Sequence, residues 1–194
     1  QQDNRVTALF VAVLLLPLLA GLVWLLPQVF NPGYWSTRDF GLRTRLLSEA
    51  RIIVDYIRWT LLPTPDALSF YHDDFRISTG LLTPWTTLGS ILFLGMLVAV
   101  MVWLRRRLPL ATLGIGLFLG CQLLTGTILP LELIYEHRNY FASFGLMLAI
   151  VPLLAVPSTA TMALPRYALL ACAMVCWIAL TAFTAYAWGN PLRL

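Results

Sequence analysis

Residues 87–129, "TLGSILFLGMLVAVMVWLRRRLPLATLGIGLFLGCQLLTGTIL", contain two apolar runs joined by three consecutive arginines and a leucine. Each run approaches the roughly 20 apolar residues that cross a bilayer as a helix. Only a helix or a closed barrel satisfies every backbone group there. Arg105, Arg106 and Arg107 fall in the short turn, where cytoplasmic positive charge concentrates. Residues 87–129 therefore predict a transmembrane hairpin with its turn inside.

The same pattern extends outward. Three more runs, 7–27, 144–164 and 167–188, complete an expected all-α polytopic membrane protein of five spans, with 87–104 and 109–129 as the second and third. The whole chain of 194 residues is expected to form one membrane domain. Its 59% hydrophobic and 11% charged residues, with a mean hydropathy of +0.79, lie far from the composition of soluble domains. A soluble enzyme, a disordered tail and a nucleic-acid-binding domain are excluded on that ground, so no nucleic-acid partner is expected. The net charge of +4 comes from thirteen arginines and no lysine. This usage suits bidentate contacts with phosphate or carboxylate, and a GC-rich genome produces it equally well.

Arg5 and Arg166 add to the inside charge, which puts the N-terminus inside and the C-terminus outside. The stretch from Gln1 to Arg5 precedes the first run without a small-residue cleavage site, so a signal peptide is not expected. A start at Gln1 is what a processed product or a piece of a larger protein would give. Cys121, Cys172 and Cys176 lie within apolar runs and imply small packing residues rather than a disulfide framework. Gly116 and Gly120, extended by Gly114, form a small-xxx-small pair that predicts close helix packing. Pro17 and Pro152 predict kinks within spans, and Pro157 an early end to the fourth.

Residues 28–85 form a long exterior loop in which six arginines face six acids. Its length removes it from the positive-inside count. Within it, residues 44–62 predict an interfacial helix, with Thr44, Ser48, Arg51, Asp55 and Arg58 along one polar stripe. The stripe reads most simply as a solvated face, with Arg51, Asp55 and Arg58 paired along the helix. Pro63 and Pro65 end it.

Two exterior clusters hold most of the remaining polar chemistry. The first, Tyr71, His72, Asp73, Asp74 and Arg76, offers a general base or ligands for a divalent cation. Adjacent carboxylates equally cap a turn or pair with an arginine such as Arg76. The second comprises Glu132, Glu136, His137, Arg138, Asn139 and Tyr140. If helical, it brings Glu132 and Glu136 onto one face, with Arg138 as a phosphate donor beside His137. Ionisable groups near membrane depth point to function, and a buried glutamate–arginine pair locking two helices is the structural counterpart. No phosphate-binding glycine loop, GxSxG or HExxH is present, so any substrate is a lipid or lipid-linked molecule met at the membrane.

The stretch "RDFGLRTRLLSEARIIVDYIRWTLLPTPDALSFYHDDFRISTGLLTPWTT" (38–87) and, after it, "LTGTILPLELIYEHRNYFASFGL" (124–146) resemble a region of certain bacterial membrane proteins. Those proteins join a polytopic membrane domain to tetratricopeptide repeats. They are similar to the transmembrane-and-tetratricopeptide-repeat O-mannosyltransferases, in the GT-C glycosyltransferase class. The resemblance implies a bacterial inner-membrane enzyme using a polyprenyl-phosphate sugar and an exterior protein or glycan acceptor. It implies inverting transfer, with an acid as base and arginine or histidine groups on the donor phosphate. His137 and Arg138 match the family's Glu-His-Arg motif and would contact that phosphate, with Glu136 orienting them. His72, Asp73 and Asp74 match an exterior His-Asp-Asp turn that would shape the acceptor site. The family's key acid lies in an early exterior loop, which this chain lacks, so the catalytic acid is expected upstream and the fragment inactive alone. An O-antigen ligase or polymerase acting on a lipid diphosphate, and a nonenzymatic membrane scaffold, are the competing expectations.

Overall fold

The structure is a computed structural model that describes residues 4–62, 75–155 and 160–189. His72, Asp73 and Asp74, with Tyr71, Pro63, Pro65 and Pro157, lie outside the described residues.

The described residues are mainly helical. Helices α1 (Asn4–Phe10) and α2 (Leu16–Val29) form one continuous rod through a π-helical turn, Val11–Leu15. Pro17 has no amide to give to Val13, and the wider turn lies just before it, with the Leu16 amide bonded to Val11 O. Helix α3 spans Leu42–Leu61, followed by α4 (Thr86–Leu104), α5 (Pro109–Thr125), α6 (Glu136–Ala155) and α7 (Ala160–Trp188). Among the described residues, four segments are long and apolar enough to cross a membrane: Asn4–Val29, Thr86–Leu104, His137–Ala155 and Ala163–Tyr186. Their side chains are largely exposed, as on Val23, Trp24, Leu92, Met96, Val175 and Ile178. So much contiguous apolar surface marks a helical protein associated with a membrane.

Three expected boundaries move. The third run ends as a helix at Thr125 instead of residue 129, and its apolar part, Pro109–Leu123, is shorter than the other four. The fourth begins at Glu136 rather than 144, because the polar residues Glu136 to Asn139 form the first turn of α6 instead of a loop before it. The fifth begins at Ala160, which puts Pro165 and Arg166 within α7 rather than between spans.

Helices α5 and α6 run antiparallel and cross at two glycines. A β-carbon on Gly114 would stand 2.5 Å from Gly145 O, and one on Gly145 would stand 2.6 Å from Gly114 O. The backbones therefore touch. The expected Gly116/Gly120 pair is not this contact: Gly116 faces the Met101 sulfur, and Gly120 has no neighbour within 4 Å of such a β-carbon. The glycine that packs is Gly114, two residues before Gly116 and therefore on another face of α5.

Helix α3 starts at Gly41, whose amide donates to Thr44 Oγ1 at 3.0 Å while the hydroxyl donates back to Gly41 O. It ends before Pro63, with Leu62 already extended at φ −130° and ψ 72°. Its inward face carries Arg45, Ser48, Glu49, Ile52 and Tyr56, all buried against α4, α5, α6 and their connections. Ile52 and Tyr56 join Phe118, Ala142 and Leu146 in the main apolar core. Of the predicted stripe, Ser48 is buried, Thr44, Arg51 and Asp55 are half-buried and Arg58 is exposed, so the stripe is solvated only in part. Ser48 Oγ accepts the Ser78 amide at 2.8 Å, and Arg51 donates to Arg76 O at 2.6 Å and lies over the Phe75 ring. A smaller core of Leu25, Val29 and Trp35, with Ile128 and Leu129 against it, attaches the end of α2 to the α5–α6 connection.

Candidate functional site

The polar chemistry gathers where α3 crosses the connection between α5 and α6. Residues 126–135 contain no helix, so their carbonyls need donors from elsewhere. Three consecutive ones receive arginines. Arg38 Nε donates to Pro130 O at 2.9 Å, Arg45 Nη1 to Leu131 O, and Arg138 Nη1 to Glu132 O. Arg45 Nη2 also donates to Thr125 O at 2.6 Å, where the last turn of α5 presents unpaired carbonyls.

Arg45 is wholly buried and Glu49 nearly so, and Arg45 Nη2 lies 2.8 Å from Glu49 Oε1. The contact lacks hydrogen-bond alignment. Burial lowers the pKa of the Arg45 guanidinium, against the opposing pull of Glu49. Burial pushes the Glu49 carboxyl up to about 8, against the pull of Arg45 and Arg138. At neutral pH the Arg45 cation therefore leans on two main-chain carbonyls and the negative end of α5, with a carboxyl beside it that favours its proton.

A second set of bonds fixes the start of α6. The Tyr56 hydroxyl donates to Tyr135 O and accepts from Tyr135 N, both at 3.0 Å. Asn139 Nδ2 donates to Thr60 Oγ1 at 2.9 Å, and the buried Gln122 donates to Asn139 Oδ1 at 3.4 Å. The start of α6 is thereby tied to α3, and α5 is tied to α6 through Gln122.

Of the residues expected to act, His137 and Arg138 come together around Tyr135. The His137 side chain is exposed, its ring 4.8 Å from that of Tyr135, and the Arg138 guanidinium lies 5.0 Å from the same ring. Glu136 opens α6. Glu132 is not on that helix and shares no helical face with Glu136; it meets Arg38 at 3.5 Å on the surface. Hydrogen bonding from the Tyr135 side chain, followed by Arg38, holds its carboxyl below the usual range. No group of three or more potential metal ligands assembles among the described residues, and the His72, Asp73 and Asp74 candidates for a divalent cation lie outside them. The buried glutamate–arginine contact among the described residues pairs Glu49 with Arg45, both on α3.

Arg45, Glu49 and Tyr56 carry most of this architecture without standing out in the sequence. Their spacing of four and seven residues is the signal, since with Ile52 they line one face of α3 adjacent to the predicted stripe. Cys121 packs against the main core, while Cys172 and Cys176 face outward from α7. No family model, curated protein or solved structure matches the chain.

Proposed function

We propose that this chain is part of the membrane domain of a GT-C-like glycosyltransferase, which moves a sugar from a polyprenyl-phosphate donor to an exterior protein or glycan acceptor. In this reading the membrane is a bacterial inner membrane, with the N-terminus cytoplasmic and the C-terminus periplasmic. One observation supports it above others. The two stretches that carry the family resemblance, separated by two helices in sequence, interlock through Arg38, Arg45, Tyr56 and Thr60 into one unit.

In such an enzyme the acceptor hydroxyl attacks the anomeric carbon, the bond to the donor phosphate breaks, and a base takes the hydroxyl proton. The outer N–H groups of Arg138 and the exposed His137 are the donors suited to the leaving phosphate. One Arg138 N–H is already committed to Glu132 O, which fixes the direction of the guanidinium. In this reading His72, Asp73 and Asp74 would border the acceptor.

The test is sugar transfer in membranes containing the entire protein. His137→Ala removes an exposed side chain, so it is expected to cut transfer from a polyprenyl-phosphate sugar at least tenfold with expression and thermal stability unchanged. Wild-type transfer by both His137→Ala and Arg138→Lys would remove the motif from the site. Activity confined to a lipid-diphosphate glycan would instead favour the ligase reading.

The binding of Arg38, Arg45 and Arg138 to consecutive carbonyls favours a second reading, a nonenzymatic scaffold. There, Arg138→Lys lowers stability and partner assembly together, with no transfer activity to lose.

A further inference from the structure

The opposite end of the bundle carries a different kind of surface. Helices α4 and α5 are joined by Arg105, Arg106, Arg107 and Leu108, in a turn closed by the Arg107 and Leu108 amides on Leu104 O at 2.9 and 2.8 Å. All three arginines are exposed. The Arg107 guanidinium lies 5.2 Å from the ring of Trp103, itself 65% exposed. Because α5 and α6 cross antiparallel, with Gly114 against Ala149, the end of α6 lies beside the start of α5. Arg166, in the second turn of α7, reaches that end and donates to Leu153 O at 3.1 Å. Four guanidinium groups thus belong to one end of the protein.

The acids do not share it. Asp39, Glu49, Asp55, Glu132 and Glu136, all the acidic residues among the described ones, belong to α3 and its neighbours at the other end. None of the three turn arginines makes an ion pair among the described residues. A turn of four residues between apolar helices holds its side chains at headgroup depth, and an exposed tryptophan one turn away is a usual interfacial anchor. Exposed Leu108, Leu110 and Leu113 continue from the arginines into the apolar layer. A dissolved polyanion would meet the charge but not this apolar border, whereas a phospholipid meets both.

We propose that the Arg105–Arg106–Arg107 turn, with Trp103 and Arg166, is a binding surface for anionic phospholipid, whose headgroup phosphate takes guanidinium N–H donors while its acyl chains lie along α4 and α5. This inference is independent of the glycosyltransferase reading.

The experiment titrates the full protein, purified in mild detergent, with phosphatidylglycerol or phosphatidylcholine and reads bound lipid by native mass spectrometry. The wild type is expected to retain phosphatidylglycerol at least about tenfold more strongly than phosphatidylcholine. Arg105→Gln/Arg106→Gln/Arg107→Gln removes that preference. Arg106→Gln alone, at an exposed position, lowers it in part and serves if the triple variant does not fold. Arg38→Gln, at the other end, leaves it unchanged. Equal retention of the two lipids, or a preference that survives both turn variants, overturns the proposal. So does full displacement of the lipid by millimolar inorganic phosphate, since the surface would then recognise phosphate alone.

Discussion

Tyr56 on α3 holds both main-chain polar groups of Tyr135 through a single hydroxyl, donating to the carbonyl and accepting from the amide at 3.0 Å. Tyr135 immediately precedes α6, and its ring lies against both His137 and Arg138. A single hydroxyl of α3 therefore sets the entry of α6 and the place of its first polar side chains.

Tyr56→Phe keeps the buried ring in the core with Ile52 and Phe118 and removes only this clamp. The Tyr135 amide loses its acceptor, while Tyr135 O keeps the Arg138 amide at 3.1 Å, at a cost of about 1–3 kcal/mol. Hydrogen exchange is expected to accelerate at Tyr135 and through the first turn of α6, while the amides of α5 keep their protection. Unchanged exchange at Tyr135 would show that the clamp does not fix the helix start.

The glycine crossing predicts a contrast within one helix. Gly114→Ala drives a β-carbon into the backbone of α6, 2.5 Å from Gly145 O and 2.6 Å from the Ala149 amide, where no side-chain rotation relieves it. The helices must separate, and the loss expected is about 1–3 kcal/mol or more. Gly120→Ala meets open space and is expected to be neutral or slightly stabilising through helix propensity. Thermal unfolding in detergent measures both. Equal effects would mean that the crossing is not a rigid contact.

Apolar periodicity and length made the membrane helices legible in the sequence, since a run such as 87–104 needs no tertiary information to be recognised. Their ends were less legible. Residues 126–129 look like more of α5 by hydropathy, yet their chain leaves the helix to reach the carbonyl-to-arginine bonds that start at Pro130. Glu136 to Asn139 look like loop by hydropathy, yet Asn139 is helical and bonded to Thr60. The inward face of α3 was hidden for a related reason. Arg45 and Glu49 count as surface residues by composition, and only the free carbonyls of a neighbouring loop make their burial tolerable. His137 and Arg138 were identifiable as a cluster, whereas their dependence on Tyr56, 79 residues from Tyr135, was not.

Arg45 and Arg38 both donate to the loop but differ in burial, so they predict unequal losses. Arg45→Met leaves Thr125 O and Leu131 O without their charged guanidinium donor, at an expected cost of about 3–5 kcal/mol. Arg38→Met gives up one carbonyl bond and a surface contact with Glu132 that water can replace, for about 1 kcal/mol or less. Chemical denaturation in mixed micelles can rank them. Arg38→Met as damaging as Arg45→Met would contradict the assignment of the central role to the buried arginine.

Glu49 gives the protein a pH dependence of determined sign. Burial raises its carboxyl to about 8 in the folded protein, whereas the ordinary value is 4.5. Between those values the folded protein keeps a proton that the unfolded chain has released. Stability from this group is therefore complete below about pH 4.5, declines as pH rises through the window, and levels off above about 8. Glu132 acts in the opposite sense and outside that window, because its carboxyl is held below the usual range and its contribution is lost only on acidification. Glu49→Gln mimics the protonated side chain at every pH, so the fall in melting temperature from pH 5 to 8 is expected to shrink in the variant. Above pH 8 the variant should equal or exceed the wild type. An identical slope in both proteins would mean that Glu49 is ionised throughout and that Arg45 holds it as a permanent carboxylate.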